Sequence, residues 1–343
     1  MAIHAGFVCS DAMGLFSAVA RARPSANKSK GAFLSIAFVF PGQGAQTIGM
    51  GKALAETYPE ARAVFDAVDE ALGEKLSALI WEGEIETLTL TENAQPALMA
   101  ASMAALAAMR AEGFELDRAS FVAGHSLGEY SALCAAGTLT LADTARLLRI
   151  RGRAMQAAVP VGQGAMAAIL GLDAAAVEKV AADAAQGDVC QLANENDPAQ
   201  NVLSGDKAAV DRALVLAKAA GAKRALPLPV SAPFHCALMQ PAAEEMARAL
   251  GAVQMNDPAV PLVANVLAEG VTDAGRIRDL LVEQVTGRVR WRTSVEWMAA
   301  QGVTEFWEIG AGKALSGMIR RIAKGSTCRA VGTPDDLAAL KDA

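Results

Sequence analysis

Phe121-Val122-Ala123-Gly124-His125-Ser126-Leu127-Gly128-Glu129-Tyr130 is the stretch from which both fold and chemistry are read. A short apolar run enters a Gly-His-Ser-Leu-Gly turn, and Ala/Leu-rich sequence with helical spacing leaves it. Strand, tight turn and helix form the context in which G-x-S-x-G acts as a nucleophile elbow. The two glycines remove side chains where the turn would clash, so Ser126 can hold a strained backbone and project its hydroxyl. The following helix aims free N–H groups and its positive end at the same point. An anionic tetrahedral intermediate on an acyl carbon bound to Ser126 would be stabilised there. A Gly/Ser-rich surface turn can carry the same five residues, but the flanking strand and helix favour the nucleophile.

A serine of this kind needs a base, and the chain has three histidines. His4 lies in an atypical N-terminal segment, and His125 adjoins the nucleophile, where its side chain should point away from the hydroxyl. Elimination leaves His235, which would take the Ser126 proton on attack and return it to the leaving group. A second Gly-rich turn, Pro41-Gly42-Gln43-Gly44, follows the strand pattern Leu34–Phe40. The backbone N–H of Gln43, paired with that of Leu127 after the nucleophile, would complete an oxyanion hole. The turn is not a phosphate-binding P-loop, because the Gly-x4-Gly-Lys-Ser/Thr spacing is absent.

Around these motifs the sequence reads as a soluble α/β protein. Of 343 residues, 53% are hydrophobic and 20% charged, and no apolar run is long enough to span a bilayer. A formal charge of −6 argues against wholesale nucleic-acid binding. Five scattered cysteines without C-x-x-C spacing read as free thiols of a reducing compartment, hence a cytoplasmic protein, and no metal-binding motif is present. Residues 1–32 are basic, Ser/Ala-rich and nearly free of acids, which resembles a targeting peptide; an unstructured extension is the expectation.

Beyond residue 33, strands alternate with helices predicted at about Gly49–Thr57, Pro59–Leu72, Gln95–Glu112 and Leu141–Val159, which argues for a covered parallel sheet. From Gly164 the pattern becomes β-α-β-β-α-β: Met166–Leu170, Ala174–Ala185, Val189–Ala193, Asn201–Ser204, Lys207–Ala220 and Lys223–Val230. That is the ferredoxin-like order, expected as a small subdomain over 161–230 inserted between core segments 33–160 and 231–343. The α/β pattern resumes with strands near Val260–Ala264 and Glu305–Ile309. Arg149, Arg151 and Arg153 share one helical stretch; an inward-facing one would mean an anionic substrate, and spacing does not say which that is.

Six motifs in order then carry a family resemblance: Phe38–Gln46, Gln95-Pro96-Ala97-Leu98, Gly124–Glu129, Arg151-Gly152, Phe234–Met239 and Glu308–Lys313. From about Ser35 to its end the chain resembles the malonyl-CoA:acyl-carrier-protein transacylases of bacterial fatty-acid synthesis, relatives of polyketide-synthase acyltransferase domains. The resemblance implies an α/β-hydrolase-like core with the ferredoxin-like insertion as one wall of the cleft. It implies a ping-pong transfer from malonyl-CoA through Ser126 to acyl carrier protein, with His235 as base. Arg151 would bind the malonyl carboxylate, the Gln284 backbone carbonyl would orient His235, and Asn194 and Asn196 would line the cleft. Ala45, Ala311 and Phe234 depart from frequent family residues, and Phe234 matches the malonyl-type pattern. No metal or redox cofactor is implied, since the coenzyme A thioester is a substrate; a monomer that binds neither nucleic acid nor membrane is expected.

Acyl carrier proteins are acidic, so a docking patch must be locally basic. Lys223-Arg224 and Arg320-Arg321 are the candidates, expected to flank the mouth of the cleft. A serine hydrolase is the rival reading. It would share Ser126 and His235 and need an acid between them, yet no motif places any aspartate from Asp173 to Asp211.

Overall fold

The computed structural model describes residues 35–230 and 232–342; the expected extension at 1–32 lies outside them. Ten strands are formed among the described residues: β1 (Ser35–Phe40), β2 (Ala119–Gly124), β3 (Gly164–Leu170), β4 (Cys190–Asp197), β5 (Gln200–Asp206), β6 (Arg224–Pro227), β7 (Leu262–Val263), β8 (Gly270–Val271), β9 (Val303–Ile309) and β10 (Thr327–Val331). They build two sheets, ordered β10-β9-β1-β2-β7-β8 and β4-β5-β3-β6. The first is parallel except for the β7–β8 pair, and the second is antiparallel throughout.

The larger sheet is covered on both faces, which is why β1 is apolar at successive positions from Ala37 to Phe40 rather than alternating. On one face Trp291, Val295, Met298 and Ile319 pack against Ala37, Val39 and Phe306. The helix Thr91–Ala111 is buried on nearly every side, as its Ala/Met/Leu composition requires. The smaller sheet has its own core, in which Val177, Val180 and Val210 pack on Ile169, Leu192 and Leu203.

Register places the functional loops. Phe40 pairs with Gly124, so β1 and β2 end level, and the N–H of His125 donates to the Phe40 carbonyl at 3.1 Å. The turns that follow these strands, one carrying Gln43 and the other Ser126, therefore emerge side by side at the carboxyl end of the sheet, where open α/β sheets bind ligands. The small sheet is tied to the core along β4. Its Glu195 N–H donates to the Val289 carbonyl at 2.9 Å, and the Val289 N–H donates to Ala193 at 2.8 Å. Arg288 reinforces the junction by pairing with Glu195 at 2.6 Å and with Glu178.

Differences from the sequence reading have local causes. The first helix begins at Lys52 rather than Gly49, because Gly49 and Gly51 both adopt positive φ. β6 stops at Pro227 instead of reaching Val230, where Pro227 and Pro229 lack ladder N–H groups. β4 runs on to Asp197, because it pairs with both β5 and the Val289 segment.

Candidate active site

Ser126 sits between β2 and the helix Leu127–Ala135 at φ 55°, ψ −109°, a conformation L-residues rarely adopt. The turn closes because its glycines touch: a Cβ on Gly124 would lie 1.9 Å from the Gly128 carbonyl carbon, and one on Gly128 2.2 Å from the Phe40 oxygen. The Ser126 Oγ lies 2.8 Å from His235 Nε2, and His235 Nδ1 lies 2.9 Å from the Gln284 carbonyl oxygen. A carbonyl only accepts, so Nδ1 carries the hydrogen and Nε2 presents its lone pair to the serine hydroxyl. Burial, then the nearby Arg151 charge, pushes the His235 imidazole down to about 3, so it is neutral at physiological pH.

That shift has a consequence for stability. The unfolded chain protonates His235 near its ordinary 6.5, whereas the folded protein resists down to about 3. Stability held above pH 6.5 is therefore lost as pH falls through that window. His125, held low chiefly by desolvation, acts in the same direction. Glu129 acts oppositely, since burial raises its carboxyl to about 7. Urea unfolding at pH 7.5 and pH 5 isolates the His235 contribution: His235→Gln should lose about 2 kcal/mol less than the unaltered protein over that interval. Equal losses would mean that His235 titrates normally.

The three arginines divide cleanly. Arg149 Nη1 donates to the Glu92 carbonyl at 2.7 Å, the group that residue 96 would bond within the helix were it not proline. Arg149 also pairs with Glu74, and Arg153 with Glu92 at 2.8 Å. Arg151 alone enters the site. Its Nη2 donates to Ser126 Oγ at 3.1 Å and to Gln284 Oε1 at 2.9 Å, and its Nη1 to Gln95 Oε1 at 2.8 Å. The guanidinium is 1% exposed, and no carboxylate pairs with it among the described residues. Its helix can approach this closely because of Gly152, where a Cβ would fall 2.5 Å from the Glu92 Cα.

The backbone N–H groups of Gln43 and Leu127 find no acceptor among the described residues. Asn196 Oδ1 accepts from His125 Nε2 at 2.9 Å. Asn194 lies beside it on β4, bridged to Val289. The basic clusters form two separate patches. Arg321 pairs with Asp197 at 2.6 Å, and the register Asp197–Gln200–Leu170–Arg224 puts Arg224 three strand spacings away, about 14 Å.

Three residues escaped the sequence reading. Gln95 holds Arg151, and Glu129 accepts from Gln284 Nε2 at 2.8 Å. Asn265 accepts from the Ser126 N–H at 2.8 Å. Gln95 and Glu129 stand inside quoted motifs, whereas Asn265 had only its position just after a buried strand as a signal.

Residues 37–335 match the acyl transferase domain family. The chain belongs to that family. A malonyl CoA-acyl carrier protein transacylase of Bacillus subtilis (strain 168) is 49% identical over 303 residues, covering 88% of this chain and 95% of its own. The crystal structure of an acyl-carrier-protein S-malonyltransferase from Bartonella henselae superposes with TM-score 0.88 at 56% identity, over 90% of this chain and 99% of that one. A malonyl-transacylase solved in complex with a type II PKS acyl-carrier protein matches with TM-score 0.87 at 43% identity, over 90% and 100% of the two chains. This acyltransferase thus shares one α/β scaffold with those enzymes, including the separate antiparallel sheet. Among its described residues no helix is long and apolar enough to cross a membrane.

Proposed function

We propose that the protein moves a malonyl group from malonyl-CoA to the phosphopantetheine thiol of acyl carrier protein through a malonyl-Ser126 ester. One observation carries this reading: a buried guanidinium without a carboxylate partner lies 3.1 Å from the nucleophilic oxygen. An unpaired buried cation is costly, and a substrate carboxylate is the partner it lacks. The relatives' names point to the same donor and acceptor.

In the first half-reaction, His235 Nε2 takes the Ser126 proton as Oγ attacks the thioester carbonyl. The two unbonded N–H groups, Gln43 and Leu127, receive the oxyanion. Collapse breaks the C–S bond, and the CoA sulfur leaves with the proton from His235. In the second, His235 takes the carrier thiol's proton, sulfur attacks the ester carbonyl, and Ser126 Oγ recovers the proton as it leaves. No metal or redox group enters either half, and a monomer in the cytoplasm meets the needs of the reaction. A hydrolase would use the same two residues, but the His235 Nδ1 rests on a carbonyl rather than an acid.

Intact mass after mixing with malonyl-CoA and no acceptor tests the reading. A malonyl adduct on Ser126 that carrier protein discharges is expected; steady CoA release without adduct would favour hydrolysis.

Carrier docking is assigned to Lys223 and Arg224, which are exposed and make no ion pair among the described residues, unlike Arg321. Reversing both to Glu should raise the apparent KM for carrier protein roughly tenfold at low salt, with a smaller effect at higher ionic strength. An unchanged KM would move docking elsewhere.

A further inference from the structure

We infer that Asn265 is a positioning residue for acyl transfer, a side-chain amide that clamps the Ser126 elbow from the neighbouring strand. The inference rests on the acyl-serine reading above. Ser126 is held at φ 55°, and such strained non-glycine conformations persist only where the surroundings over-determine them. The helix after Ser126 does not bond the Ser126 N–H. That group donates instead to Asn265 Oδ1 at 2.8 Å, while Asn265 Nδ2 donates to the Gly124 carbonyl at 2.7 Å. One amide thereby fixes the backbone on both sides of His125.

Asn265 is itself immobilised. It follows β7, which pairs with β2, and is 1% exposed. Its N–H donates to Glu129 Oε2 at 3.2 Å, and its carbonyl accepts from the Arg290 N–H at 3.0 Å. Gln284 holds the other end of the nucleophile, with Nε2 donating to the Ser126 carbonyl at 2.9 Å and to Glu129 Oε2. Both peptide planes flanking Ser126 are thus gripped by side-chain amides from outside the elbow. The second plane, which contains the Leu127 N–H, is held by Gln284, whereas Asn265 fixes the first and with it the placement of the nucleophilic residue. Arg151, which would hold the malonyl carboxylate, hangs from Gln95 and Gln284; Asn265 meets that support only through Gln284 Nε2, which reaches Asn265 Oδ1 at 3.3 Å beside its two shorter bonds to the Ser126 carbonyl and Glu129.

Because Gln284 keeps its other partners and Arg151 keeps both of its own, losing Asn265 has a kinetic signature. Losing the clamp should slow attack by the misplaced Ser126 hydroxyl and leave donor binding intact. The test uses the full chain with Asn265→Ala and Asn265→Asp. Quench-flow with intact mass gives the rate constant for malonylation per acylatable site, alongside the KM for malonyl-CoA and the melting temperature. Asn265→Ala should lower the per-site rate ~100-fold, as expected for a small misplacement of reacting groups, with KM changed less than about threefold. Asn265→Asp keeps the acceptor for Ser126 and loses the donor to Gly124, so its rate should fall between the two. A per-site rate within twofold of the unaltered protein, in either variant, would overturn the clamp, even if the folded fraction or melting temperature fell. If Asn265→Ala does not fold, Asn265→Asp decides alone. Absence of any Ser126 adduct in the unaltered protein would overturn the acyl-serine reading itself and the clamp with it.

Discussion

His235→Ala is expected to slow malonyl transfer by about 10²–10⁴-fold, the scale of a positioned general base, while Ser126→Ala abolishes the malonyl adduct altogether. The geometry behind this is a single imidazole 2.8 Å from the hydroxyl and oriented through its other nitrogen by the Gln284 carbonyl. The same imidazole would serve both halves of the reaction, so acylation and discharge should fall together. Single-turnover rates for each half, with circular dichroism to confirm folding, make the comparison. Retention of more than about a tenth of the unaltered rate in either half would remove His235 from the mechanism, since members of a nucleophile–base unit fail as a unit.

Arg151→Ala should reduce kcat/KM for malonyl-CoA by roughly 10–150-fold, the equivalent of a lost charge-assisted hydrogen bond of about 1.5–3 kcal/mol. Acetyl-CoA, which lacks the carboxylate, should be used as well as before or better. A second change comes with it. The Arg151 charge is one of the causes that hold His235 low, so the variant's imidazole should protonate at higher pH, and activity should decline sooner on acidification. Equal losses for both donors would make Arg151 a structural residue like Arg149, whose guanidinium fills the gap left by Pro96.

Much of this was legible in the chain because the signals were local. The elbow announces itself in ten consecutive residues, and His235 follows by elimination because histidines are scarce. The small sheet could be read from its alternation of short strands and helices, and its observed order, β4-β5-β3-β6, is that of the βαββαβ pattern. What could not be read depends on partners far apart. Whether Arg149 or Arg151 faces the nucleophile turns on a proline and a glycine contact in a helix some fifty residues earlier. Asn265 meets Ser126 across 139 positions, and nothing in Ala264-Asn265-Val266 marks it. β10, a five-residue edge strand interrupted by Arg329, was too short and too polar to stand out. The two basic clusters looked alike as sequence; only the ion pair with Asp197 separates them.

If Ser126 carries the acyl group as proposed, the carbonyl behind His235 would limit what can remove it. A carboxylate in that place would stabilise an imidazolium and make the ring a strong base; the uncharged Gln284 oxygen, with a cation nearby, leaves it a weak one. A thiol with pKa about 8.5 surrenders its proton to such a base far more readily than water at about 15.7. Selectivity between acceptors would then come from acidity rather than shape, and the proposed ester could outlast the wait for its carrier.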